Sequence, residues 1–71
     1  MTNTRELEVA IVRANVTKGA LAKALGLSGM GLYKKVNNLS EFKASEIARA
    51  SKVLNLSQSE MNTIFFTEKC D

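Results

Sequence analysis

Proline, tryptophan and histidine are all absent from this sequence, and cysteine occurs once. Without histidine, the side chain that most often serves as a general base near neutral pH is missing. The lone Cys70 cannot form an internal disulfide, so a disulfide-stapled secreted scaffold is excluded, and no neighbouring base marks it as a nucleophile. No Cys/His cluster has the spacing of a zinc site, so neither a metal nor a cofactor is expected, and catalysis has little support. No stretch approaches the roughly 18 apolar residues of a membrane helix, and no apolar signal core follows Met1. A soluble, cytoplasmic protein is the expectation.

What is present favours helix. Ala, Leu, Lys and Glu are frequent and β-branched runs are few. The 71 residues, 45% of them apolar, have room for one small domain spanning 1–71 with a modest core. The net charge is +3, unevenly placed: residues 13–52 hold eight Lys/Arg and two Glu, giving +6, against −1 over residues 1–12 and −2 over residues 53–71. A basic middle attracts polyanions such as DNA, although a solvated lysine-rich surface has the same composition. The seven acidic residues are scattered at helix starts and in the tail, where they complement helix dipoles.

Capping residues and apolar spacing predict five short helices. Asn3, with Glu6 in capping-box spacing, opens the first near Thr4, Leu7, Ala10, Ile11 and Ala14 share one face, and Asn15 ends it. Thr17 caps a second helix, Lys18 to Leu25, with Leu21, Ala22 and Leu25 inward. Gly26 suits the left-handed position after a helix, and Leu27 follows as an apolar plug. Ser28 caps a third helix, about Gly29 to Asn37, with Leu32 and Val36 inward. After a loop in which Phe42 turns to the core, a fourth helix runs from about Ala44 to Leu54 with Ile47, Ser51 and Leu54 inward. Ser57 to Glu60 is a capping box opening a fifth helix, whose apolar face is Met61, Ile64 and Phe65. Phe66 must then face elsewhere, and residues 67–71 form a loose tail.

Two short helices joined by a three- or four-residue turn containing glycine make a helix-turn-helix signature, here over residues 17–37. Gly26, Gly29 and Gly31 do not make a dinucleotide loop, because the spacing is wrong and no strand precedes them. The stretch from Thr17 to Asn38, followed by Leu39-Ser40-Glu41-Phe42, Ser45-Glu46-Ile47 and Ile64-Phe65-Phe66, resembles the Cro/CI-type phage repressor family. The likeness covers nearly the whole chain and extends to small regulators of temperate phages from Gram-positive bacteria. It implies an all-α, lambda repressor-like helix-turn-helix domain with a role in a lysis–lysogeny switch.

The family's binding positions carry over to specific residues. Lys18 stands where a phosphate or base contact is usual at the start of the second helix. Ser28, Gly29, Met30 and Gly31 stand where polar side chains normally enter the major groove. Tyr33, Lys34 and Lys35 remain as phosphate or base partners, and Asn37 and Asn38 open a segment resembling a backbone clamp. Glycine offers no side chain to a base edge, so this reading head is weakened while its basic surround is kept. The alternative use of such a helix end is protein contact, with Met30 as an adaptable apolar knob. Two expectations follow: an anti-repressor that binds the DNA-binding domain of a CI-type repressor, or a Cro-like protein, possible as a homodimer, that binds operator DNA itself. A blander interaction module without a role in gene control is a third.

Overall fold

Local chemistry sets the helix boundaries. The computed structural model describes residues 1–66, and among these it has five α-helices and no strand: α1 Thr4–Arg13, α2 Lys18–Leu25, α3 Gly29–Val36, α4 Ala44–Val53 and α5 Gln58–Phe65. The expectations for the 67–71 tail and Cys70 lie outside the described residues. At four starts a side-chain oxygen accepts an orphan N–H of the first turn. Asn3 takes that of Glu6 at 3.2 Å, Thr17 that of Ala20 at 3.0 Å, Ser28 that of Gly31 at 3.0 Å and Ser57 that of Glu60 at 3.1 Å. Glu60 completes its capping box by accepting the Ser57 N–H at 2.9 Å. Helix α4 begins differently, because Lys43 has no acceptor to offer. There the Glu46 carboxylate reaches back to the Lys43 N–H at 2.8 Å.

The first four helices end alike. Asn15, Gly26, Asn38 and Asn55 have φ of 59°, 72°, 63° and 53°, the left-handed region in which glycine and asparagine are least penalised. The next residue returns its N–H to the carbonyl five positions back: Val16 to Ile11, Leu27 to Ala22, Leu39 to Lys34 and Leu56 to Ser51. This is the Schellman closure, and in each case the closing residue is apolar. Val16, Leu27 and Leu56 pack against the core, whereas Leu39 stands 69% exposed.

Helix α2 packs against α3 and α4, and α1 against α5. The core is built from Leu7, Ala10 and Ile11 of α1, Leu21, Ala22 and Leu25 of α2, and Leu32 and Val36 of α3, closed by Ala50, Leu54, Ile64 and Phe65. Each fully buried leucine contributes about 1.5–3 kcal/mol of transfer free energy. Phe42 turns inward from its loop as expected and meets Phe65 edge to face, with ring centroids 5.2 Å apart. The N-terminal residues are tied across the fold. Asn3 donates its N–H to the Ile64 carbonyl at 2.7 Å, and the Thr4 hydroxyl donates to the Val36 carbonyl at 2.6 Å. An ion pair between Arg13 and Glu60 joins α1 to α5 on the surface.

Helix α4 keeps part of the expected face: Leu54 is in the core and Ile47 packs against it, while Ser51 is half-buried. Its fully buried residues are Glu46 and Ala50, which the expected face left out. There Glu46 meets Lys35 of α3 at 2.6 Å.

Candidate binding face

Helix α3 leads with Ser28, whose hydroxyl is committed to capping. The two glycines behind it differ. A Cβ at Gly31 would sit 3.2 Å from Ser28 Oγ and 3.7 Å from Leu27 Cβ, so this glycine answers to the tight cap beside it. A Cβ at Gly29 would meet nothing within 4 Å, and its backbone is ordinary helix. No packing or conformational need explains Gly29. Met30 next to it is 63% exposed and Tyr33, one turn on, 58% exposed. Lys34 is exposed beside them.

The other expected residues divide. Lys18 lies at the outer start of α2, with its ammonium 3.3 Å from the Glu8 carboxylate of α1. Asn37 folds its amide back onto the Tyr33 carbonyl at 2.9 Å. Asn38 makes a two-way clamp with Thr2: its Oδ1 accepts the Thr2 N–H and its Nδ2 donates to the Thr2 carbonyl, both at 2.9 Å. Its side chain holds this protein's own N-terminus.

Lys35, expected on the outer face, is instead buried, and its ammonium lies 2.6 Å from Glu46 Oε1. The same oxygen accepts the Lys43 N–H. Burial pushes the Glu46 carboxyl up, but the hydrogen bonds from Lys35 and Lys43 and their two ammonium charges outweigh it, so the group titrates below its ordinary value. Lys35 sits three residues after Leu32 and one before Val36, on the inward side of α3, and a residue there stays charged only with a partner.

Between the first turn of α2 and the length of α3 lies an open groove of about 100 Å³. Leu32 and Val36 form its floor, Tyr33 and Asn37 one wall, and Lys18, Gly19 and Gly29 the rim. Sequence reasoning does not single out Gly19, yet it mirrors Gly29. Both stand in the first turn of their helices, and a Cβ at either would come no closer than 3.9 Å to a neighbour. That shared position is the one signal of the rim that the sequence carries. Leu39 is also unremarkable in the sequence. It is the Schellman closure without a core contact, and it extends the exposed apolar residues of α3 past the helix end.

The described helices include none long and apolar enough to cross a membrane. Among the described residues no group of His, Cys, Asp and Glu could hold a metal ion. The family described as protein of unknown function DUF739 matches residues 2–68, and the chain belongs to that family. Neither a curated protein nor a solved structure matches it.

Proposed function

We propose that this member of the DUF739 family is a transcriptional regulator of a temperate-phage switch. In this reading α2 and α3 form a helix-turn-helix used as a protein-docking face, and the protein is an anti-repressor that binds the DNA-binding domain of a CI-type repressor. The likeness of its sequence to Cro/CI-type regulators extends to the modulator-of-repression proteins of lactococcal temperate phages, which supports the assignment. The observation that carries the reading is the leading end of α3: Gly29 open to solvent without a fold requirement, and Met30 and Tyr33 exposed beside it. Residues that would enter a DNA groove offer little hydrogen-bonding capacity there, whereas flat main chain with flexible and aromatic apolar side chains suits a protein contact.

The rival reading is a Cro-like protein that binds operator DNA directly. It is favoured by the lysines at 18, 23 and 34 and the lack of any acidic residue between 17 and 40. Phosphate contacts from these lysines would be salt-sensitive and weakly selective.

Titration of the purified chain with the N-terminal domain of the repressor encoded beside it tests the assignment. A one-to-one complex at micromolar concentration that lowers the repressor's affinity for its operator is the expected result. No complex, together with a sequence-selective gel shift by the chain alone, would replace it with the Cro-like reading.

A further inference from the structure

We propose that the groove between Gly19 and Gly29 seats an aliphatic side chain of a partner protein segment that also carries a carboxylate, the carboxylate being received by Lys18. The inference rests on the reading of the α2–α3 face as a protein-docking surface, and not on a repressor being the partner.

Three observations converge on this groove. Its floor is Leu32 and Val36, and its volume of about 100 Å³ gives room for a small aliphatic side chain. Its rim is cut back at two glycines that the fold does not require, so a partner's main chain can come within van der Waals distance of the helix starts. Its lining has one charged side chain, the cationic Lys18 at the rim, and no acid.

Glu8 lies 3.3 Å from Lys18, in a pair whose side chains are about half exposed. An ion pair in that setting contributes little, so an incoming carboxylate can take Lys18 from Glu8 with small loss. A segment with basic side chains would meet an unfavourable field at the same place. The DNA backbone would satisfy Lys18 but would leave the apolar floor without a partner.

The test uses two probes with the same isobutyl group, N-acetyl-leucine as its carboxylate and N-acetyl-leucinamide. Each is titrated into the full chain while the backbone amide resonances of Gly19, Gly29 and Tyr33 are followed. Localised shifts at these three amides are expected, with the carboxylate probe binding about three- to five-fold tighter than the amide, the gain of one exposed ion pair. Glu8→Gln, which removes the rival negative charge beside Lys18, is expected to tighten the carboxylate probe further. Gly29→Leu, placed in open space, is expected to keep its thermal transition and lose the shifts.

Equal affinity for the two probes would overturn the charge assignment. Shifts spread over the whole surface, or shifts retained in a folded Gly29→Leu, would overturn the groove. A short DNA duplex that moves the same amides when neither probe does would assign the groove to nucleic acid and end the proposal. The repressor titration has a separate readout: a groove that takes the carboxylate probe in a chain that ignores the repressor leaves this inference standing and removes only the anti-repressor role.

Discussion

Lys35 of α3 and Glu46 of α4 form a buried ion pair with Nζ 2.6 Å from Oε1, and the same carboxylate caps α4 through the Lys43 N–H. One side chain thus begins a helix and fastens it to its neighbour. Replacing Lys35 by Met leaves the carboxylate buried with half its partners. For a pair at the edge of a small core, the expected loss is about 3 kcal/mol at neutral pH, measured by urea unfolding. Lys34→Met, one residue earlier and exposed, is expected to change stability by less than about 0.5 kcal/mol. Equal effects at 34 and 35 would place Lys35 outside the core.

The same carboxylate gives stability a direction in pH. Glu46 titrates below its ordinary 4.5 in the folded protein, so its contribution is complete above that value and is lost as the pH falls through the folded pKa. Glu60, held down by the Ser57 N–H and by Arg13, acts in the same direction from the surface. Unfolding free energy is expected to be level near neutrality and to fall on acidification below the ordinary carboxyl range. The fall should be shallower in Glu46→Gln, which keeps an acceptor for Lys43 but has no charge to lose. An identical acid limb in that variant would assign the acid sensitivity to other carboxyls.

The Lys35–Glu46 pair also marks where the sequence stops being legible. Helix starts at Asn3, Thr17, Ser28 and Ser57, and helix ends at Asn15 and Gly26, are written within four or five residues and can be read directly. The inward apolar residues of α1, α2 and α3 follow from the 3.6-residue period. The burial of Glu46 on α4 does not, because its partner is a lysine eleven positions away in another helix. A period-based reading counts Lys35 and Glu46 as surface and brings Ser51 inward in place of Ala50. The groove is illegible for a related reason: Gly19 and Gly29 lie ten positions apart and share a rim only once α2 and α3 have packed.

Asn38 separates backbone need from side-chain need. Its φ of 63° penalises most residues, and its amide clamps Thr2 in both directions. Asn38→Ala is expected to cost about 2 kcal/mol, through loss of both hydrogen bonds and strain in the left-handed region. Asn38→Gly restores the backbone freedom and should recover about half of that. Thermal unfolding of the three proteins checks the order; Ala and Gly variants of equal stability would remove the strain argument.

Leu27 and Leu39 close consecutive helices by the same bond, with the first packed on the core and the second exposed. Leu27→Ser is expected to destabilise by about 2 kcal/mol, whereas Leu39→Ser stays within about 0.5 kcal/mol of the parent. If α3 and its exit form a docking face, Leu39→Ser also weakens the partner complex, by about five-fold or more for an apolar side chain buried on binding. Calorimetry of folding and of binding separates the two effects. A stable Leu39→Ser variant with unchanged affinity would place the contact on the first turn of α3 alone.

The glycines offer the sharpest contrast, since alanine acts on them with opposite signs. Gly26 has φ of 72°, and Gly26→Ala is expected to cost about 1 kcal/mol, lowering Tm by about 4–8 °C in a domain of this size. Gly19 and Gly29 have helical backbone and room for a Cβ. Alanine at either should stabilise by about 0.4–1 kcal/mol, because it restricts the unfolded chain and favours helix. If the rim is a docking face, these glycines serve the partner and not the fold. Gly29→Ala should therefore raise Tm and lower partner affinity together. If both glycines gave more stable proteins with undiminished binding, the cut-back rim would have no function, and the docking face would have to be sought elsewhere on the chain.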